Sequence, residues 1–365
     1  MEQQTRRPGK GKPMPDVLPP LLTVLDTLGS IARMMHPHRL PELVAKLVRQ
    51  DQDLNAALRT LTPSPVSDAI AQSATYALQA CKGLRDARDA DNPVIETFRA
   101  MRQYSRALEA LAALAETQPD VGRYFLEPQT RDNPQSRDNP QSRDNQDPQR
   151  PPHPESGVFH FENNTDQRGG FSVIVPPRYD PAKPTPVIMA LHGGAGHGRL
   201  FLWNWFPEAR SRTMIVIAPT AVGRTWSLME PEIDTQNQEK ILTIVSNRWN
   251  TDPNRMLLTG MSDGGTFALL SGLDEDSPFT HLAPVAASFH PMLLAMTSPK
   301  RLNGLPIHLT HGTHDWMFPV TMARTAHRAL AAAGAAITYR EIADLSHAYP
   351  RDGQGEVLDW FMEPR

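Results

Sequence analysis

The sequence predicts an α/β domain, with a mostly parallel sheet flanked by helices, preceded by a small all-α helical bundle. Three observations carry that expectation. In the first third of the chain, apolar residues recur at three- and four-residue spacing, the period of a helix buried on one face. From about residue 157, short apolar runs alternate with helical patterns, as in parallel sheets covered on both faces. Between the two regions lies a polar repeat with no apolar position. The expected division is a disordered tail at 1–15, a helical domain at 16–127, a disordered linker at 128–156 and the α/β domain at 157–365.

Taken in order, residues 1–15 are polar, basic and rich in Pro and Gly, the composition of a segment that cannot bury enough to fold. The apolar run Leu18–Leu25 that follows is bracketed by Asp16 and Asp26 and interrupted by two prolines. It makes a poor secretion signal and is too short to span a membrane. A first helix is read from Leu21, Val24, Leu25, Leu28, Ile31 and Met35. A second comes from Leu40, Leu43, Val44, Leu47 and Val48, continuing through Leu54, Leu58 and Leu61. Pro65 and Ser67 open the next, through Ile70, Ala74, Ala77, Cys81 and Leu84. Asn92-Pro93 is a cap followed by a proline at the first helical position, and starts the last. Each helix has one apolar stripe, so they should pack on one another. His36 and His38 flank Pro37 with no further ligand at metal spacing and read as a turn. Arg85, Asp86, Arg88 and Asp89 read as a solvated helix end.

The linker repeats Arg-Asp-Asn-Pro-Gln-Ser at 131–136 and 137–142, and a third copy begins at 143. As a flexible tether of this length it would span about 30 Å. The two domains are therefore expected to be loosely coupled, which argues against a permanent cover over any site in the second domain. Strands are expected at Phe171–Val175, Val187–Leu191, Met214–Ala218, Met256–Thr259, Val285–Ser288, Ile307–Thr310 and Ile337–Glu341.

Composition narrows the function classes. A net charge of −3 gives no basic field for nucleic acid. A single cysteine, Cys81, allows no intrachain disulfide and fits a reducing, cytoplasmic setting.

The chemistry gathers at strand ends. Met256, Leu257 and Leu258 lead into Gly260-Met261-Ser262-Asp263-Gly264, read as strand, sharp turn and helix with a serine at the tip. Small residues are needed two positions either side, where a side chain would strike the neighbouring strand or helix. The run Val187–Leu191 enters His192-Gly193-Gly194-Ala195-Gly196-His197-Gly198. That loop lacks the Gly-Lys-Ser/Thr and G-x-G-x-x-G patterns of nucleotide binding. The backbone N–H of Gly194 is instead expected to join that of Asp263 around a developing oxyanion, with His192 orienting the loop. Ile307–Thr310 ends in His311-Gly312-Thr313-His314-Asp315, and the last strand is followed by Asp344-Leu345-Ser346-His347. The expected set is Ser262 as nucleophile, His347 as base and Asp315 as the acid that orients it. His290, His311 and His314 are rejected as bases, and Asp344 is the second choice of acid. Phe201, Phe206, Trp203, Trp205, Trp226 and Trp316 either line an apolar acyl or aryl pocket or pack the core. Arg199 and Arg224 are further candidates, as anion contacts.

With these motifs in view, residues 157–365 resemble the α/β-hydrolases, in particular the phospholipase/carboxylesterase, dienelactone-hydrolase-like and feruloyl-esterase-like branches. The His192-Gly193-Gly194 loop, the Gly260–Gly264 elbow, Asp315 and His347 carry the resemblance. The helical domain and repeat linker have no counterpart in that pattern. The resemblance implies a serine esterase acting through an acyl-enzyme on small neutral acyl or aryl esters, with no metal or organic cofactor. Two other readings stay open: a prolyl-oligopeptidase-like serine peptidase, although its propeller is missing, and a non-catalytic binding protein whose helical domain is the interaction module. Self-association or a protein partner through the helical domain is also left open, whereas nucleic acid and a membrane span are not expected. No long insertion separates the late strands, so no large lid is expected within the hydrolase domain.

Overall fold

The computed structural model describes residues 17–127 and 153–364. The expected tail at 1–15 and both full copies of the repeat lie outside the described residues.

The first region is helical: α1 (Leu18–Arg33), α2 (Leu40–Ala45), α3 (Leu47–Leu58), α4 (Pro65–Ala87), α5 (Pro93–Ala112) and α6 (Pro119–Tyr124). Local signals set the helix starts. Ser64 accepts from the Ser67 N–H at 3.1 Å, and Asn92 accepts from the Ile95 N–H at 3.1 Å, with a proline opening each helix. Small residues bring α4 and α5 together. A Cβ on Gly83 would stand 2.8 Å from the Cβ of Ala100. His36 makes a turn, its Nδ1 accepting from the His38 N–H. Arg85 departs from the expected solvated helix end, for it pairs with Asp51, a buried residue of α3.

The second region forms one eight-stranded sheet in the order β1-β2-β4-β3-β5-β6-β7-β8. Its strands are β1 (Gly157–Phe161), β2 (Phe171–Val175), β3 (Thr185–Leu191), β4 (Ile215–Pro219), β5 (Thr251–Met261), β6 (His281–Val285), β7 (Pro306–Gly312) and β8 (Ala336–Ile342). Strands β1 and β2 run antiparallel to their neighbours, and the other six are parallel. β1 was not expected from the sequence, because its Gly157 and His160 and its half-exposed residues give a weak pattern. β6 lies at 281–285 rather than 285–288, since His281 and Pro284 hide a wholly buried strand behind polar and cyclic residues.

Alternation along the strands assigns the two faces. Val173, Val175, Val187, Met189, Ile215 and Ile217 face one core, together with the helices at 232–248, 263–272 and 320–332. Ile174, Ile188, Ala190, Val216 and Ala218 face the other. That second core is continuous with the interior of the helical domain. Leu21, Leu28, Leu84, Leu108 and Phe125 belong to the same buried cluster as Phe201, Trp203, Trp205, Phe206 and Phe361.

This overturns the expectation of loose coupling. Polar contacts join the same surfaces. Arg199 donates to Glu109 at 2.6 and 2.9 Å, and the Ser346 N–H donates to the carbonyl of Arg33 at 3.1 Å. Arg33 pairs with Asp344 at 2.7 Å, and Arg212 pairs with Glu127 at 2.5 Å. A flexible tether sets only how far two domains can separate. Whether they do separate is decided by the apolar area between them.

Candidate active site

Strand β5 ends at Met261 and a helix begins at Asp263, leaving Ser262 alone at the turn. Its φ is 55° and ψ −120°, a backbone conformation that side-chain-bearing residues avoid. The surroundings enforce it. The Ser262 N–H donates to Val285 O at 3.0 Å, and its carbonyl accepts from the Thr266 N–H at 2.8 Å. A Cβ on Gly260 would lie 2.4 Å from the carbonyl oxygen of Gly264, and one on Gly264 would lie 2.3 Å from that of His192. Both clashes are with backbone, which cannot swing aside, so the glycines are a condition of the turn.

Three strand ends deliver the other groups. His347, on the loop after β8, places Nε2 3.0 Å from Ser262 Oγ. Its Nδ1 lies 2.8 Å from Asp315 Oδ2. Asp315 sits in the turn after β7, where Oδ1 accepts from the N–H groups of Met317 and Phe318 at 2.9 and 2.8 Å. Burial would raise its pKa, but hydrogen bonds from His311 and His347 outweigh it and hold the carboxyl below the usual range. All three residues are buried.

Asp344, the second choice of acid, is exposed and pairs with Arg33. His290 is exposed and its Nδ1 accepts from the Met292 N–H. His311 makes a contact that its rejection as a base did not anticipate. Fully buried, it brings Nε2 to 3.3 Å from Asp315 Oδ2 and 2.9 Å from Phe318 O. Chain proximity to Asp315 disfavoured it as a partner of the serine, while the turn folds it back against the acid.

The loop after β3 is held through His192. Its Nδ1 donates to the Gly193 carbonyl at 2.7 Å, and its Nε2 accepts from the Ala221 N–H at 3.1 Å. Burial pushes its pKa down to about 3, so the ring stays neutral, as this pair of bonds requires. Gly193 lies beside the serine: a Cβ there would be 3.7 Å from Ser262 Cβ. A Cβ on Gly194 would press to 2.7 Å from Asp263 Oδ2, which accepts from Thr225 Oγ1.

A cavity of about 480 Å³ opens beside this group. Met261, His347 and Tyr349 line it from the hydrolase side, and Met35, Phe98, Met101 and Tyr104 from the helical side. The helical domain therefore forms one wall of the space next to His347, contrary to the expectation that the tether argues against a cover. Of the aromatics left open between pocket and core, Phe201 lines this cavity. Trp203, Trp205 and Trp226 are buried and do not line this cavity. Trp203 and Trp205 fill the seam between the helices and the sheet. Trp226 stacks on Phe267 and donates to His192 O at 2.7 Å. Trp316 packs near His347 and donates to Met35 O at 3.0 Å, fastening the segment just after α1 to the site. Arg199 is engaged by Glu109.

The order of strands and the turn after β5 are those of an α/β-hydrolase, and residues 183–361 match the phospholipase/carboxylesterase family. The C-terminal domain is a hydrolase-fold domain of the phospholipase/carboxylesterase type. Solved structures similar to the chain include a thermostable esterase, at 20% identity and a TM-score of 0.46, covering 56% of this chain. The match spans 62% of that esterase's own length. A ferulic acid esterase from Anaeromyces mucronatus is similar at 15% identity and a TM-score of 0.44, over 58% of this chain and 91% of its own. FphF, a fluorophosphonate-binding serine hydrolase of Staphylococcus aureus, is similar at 13% and 0.44, over 57% and 98%. No curated protein sequence matches the chain. Among the described residues no helix is long and apolar enough to cross a membrane, and no cluster of potential metal ligands occurs.

Proposed function

We propose that the protein is a serine hydrolase that cleaves carboxylic esters through Ser262, His347 and Asp315. The single observation that carries this is the unbroken relay, 3.0 Å from Ser262 Oγ to His347 Nε2 and 2.8 Å from His347 Nδ1 to Asp315 Oδ2. Because Asp315 stays ionised, it holds the proton on Nδ1 and leaves Nε2 as the acceptor. His347 takes the hydroxyl proton as Oγ attacks the ester carbonyl carbon. The tetrahedral oxyanion is held by the backbone N–H groups of Gly194 and Asp263, each donor worth about 10²–10³ in rate. His347 then protonates the leaving alkoxide, and water cleaves the acyl-enzyme by the same steps in reverse roles. The strained Ser262 backbone, which holds the hydroxyl at the tip of the turn, also supports the reading. The family match favours esters over peptides, and the mostly apolar residues beside His347 favour neutral ones.

The test is hydrolysis of nitrophenyl esters from acetate to laurate by the full chain, with Ser262→Ala and His347→Ala alongside. Loss of either group should lower kcat by about 10⁴–10⁶-fold. Variants as fast as the parent would refute the assignment of these residues.

A further inference from the structure

We propose that the helical domain positions the base of the triad. The carbonyl of Met35, just past α1, accepts from both Ser346 and Trp316, and this shared acceptor holds the His347 imidazole in line with Asp315. The proposal rests on the serine-hydrolase reading and adds Ser346 and Trp316 to it as positioning residues.

Two loops carry the acid and the base. Backbone bonds join them as far as His314, whose N–H donates to Leu345 O at 3.0 Å. Asp315 and His347 lie beyond that bond, and the residues beside them turn to the helical domain. Ser346, which precedes His347, donates its N–H to Arg33 O at 3.1 Å and its hydroxyl to Met35 O. Trp316, which follows Asp315, donates its indole N–H to the same Met35 carbonyl at 3.0 Å. A carbonyl oxygen has two lone pairs, and here both are taken. Met35 is 8% exposed and Ser346 1%, so water has little access to replace these bonds. The end of a helix supplies the acceptors. Its last carbonyls, and those of the turn that leaves it, have no partner within the helix. Those of Arg33 and Met35 find theirs beside the triad.

The Trp316 side chain acts on the imidazole itself. Its ring stands 6.3 Å from the His347 ring, at 70° to it. The Phe318 ring stands 5.3 Å away, at 90°. Phe318 is fixed through its N–H, which donates to Asp315 Oδ1 at 2.8 Å. Trp316 is oriented through Met35 O, and His36, next to Met35, packs against it at 6.4 Å. Two rings thus pack on the base, one set by the acid's own turn and the other by the helical domain. A misplacement of about 1 Å at a reacting group costs about 10²-fold in rate, so these contacts bear on the chemistry as well as on stability. Other ties across the seam are of a different kind. Arg351 donates to the Tyr104 hydroxyl farther along the chain, and Arg212 pairs with Glu127, involving neither Ser346 nor Trp316.

The test uses the full chain and reads two quantities. One is the rate at which a small fluorophosphonate labels Ser262, which requires no knowledge of the natural substrate. The other is kcat and KM on nitrophenyl acetate, with kcat expressed per labelled serine so that unfolded protein does not count. Ser346→Ala and Trp316→Phe each remove one donor to Met35 O. Each should lower kcat and the labelling rate about 10–10²-fold, with KM changed by less than about threefold. A merely structural loss would lower the number of labelled serines and leave kcat per serine alone. Because both donors serve one acceptor, the double variant should fall within about threefold of the slower single variant. Arg212→Met weakens the seam elsewhere and should stay within about threefold of the parent in kcat per labelled serine. Single variants as fast as the parent, or losses that multiply in the double variant, would overturn the shared brace. An equal loss in Arg212→Met would assign the effect to docking in general and overturn it too. A labelled parent matched by its variants defeats only this proposal, whereas no labelling and no turnover of any ester defeats the serine-hydrolase reading beneath it.

Discussion

Replacing Asp315 with asparagine changes one atom and should nearly abolish the proposed ester hydrolysis without unfolding the protein. Two backbone N–H groups, from Met317 and Phe318, point at Oδ1. Those donors demand an acceptor, so the amide oxygen of asparagine must take the Oδ1 position. The amide NH₂ is then left facing His347 Nδ1, 2.8 Å away in the parent. Two donors cannot face each other, so the imidazole gives up the proton on Nδ1 and carries it on Nε2. That nitrogen can then no longer accept from Ser262 Oγ, which lies 3.0 Å from it. The fault lies in the tautomer rather than in position. Such a change costs about 10⁴-fold in kcat, equivalent to about 5.5 kcal/mol of transition-state stabilisation. The assay is nitrophenyl acetate hydrolysis, with thermal unfolding of both proteins measured in the same buffer. A variant within tenfold of the parent, with an unchanged melting temperature, would show that Asp315 does not set the tautomer of His347.

Glu208 makes a pH prediction whose sign runs against the usual carboxylate. Its folded pKa is raised to about 8 by burial first and by the neighbouring Glu127 carboxylate second. Between the ordinary carboxyl value and about 8 the folded state holds a proton that the unfolded state has lost. The Glu208 contribution to stability therefore falls as pH rises through that window, by at most about 1.4 kcal/mol per pH unit. It is absent as a penalty below pH 4 and levels off above pH 8. Urea unfolding at pH 5, 6, 7 and 8 should show a steeper decline for the parent than for Glu208→Gln, and parallel curves would remove Glu208 as the cause. The shared core predicts that calorimetry of the full chain gives a single cooperative transition, since the helical domain and one sheet face bury a common cluster. Two well-separated transitions would show that the domains unfold independently.

Much of the site was legible in residues close together in the chain. The elbow at 260–264 is a local constraint: a strained serine needs glycines two positions away, whatever the rest of the chain does. The carboxyl ends of parallel strands collect polar groups, so the strand pattern made Asp315 and His347 candidates, with Asp344 left as a second acid. The aromatic residues stayed undecided because a buried tryptophan and a pocket tryptophan read alike in sequence. Trp203 and Trp205 lie in the seam between the helices and the sheet, which is a core position created by the second domain. Glu208, Tyr104 and Arg351 carried no signal. A glutamate in a short helix and an arginine at the start of a 3₁₀ turn are ordinary surface residues until another domain covers them.

The sequence alone determined the local devices, because caps, turns and the period of apolar residues act over a few positions and leave their pattern in the chain. It also specified that both domains have apolar faces to bury. Which face meets which was decided only in the folded structure. Burial of apolar surface is non-directional and rewards any well-matched contact, so a stripe of leucines does not name its partner. Two such faces, left by the helices and by the sheet, closed on each other, and their closure made the cavity beside His347 that neither domain has alone.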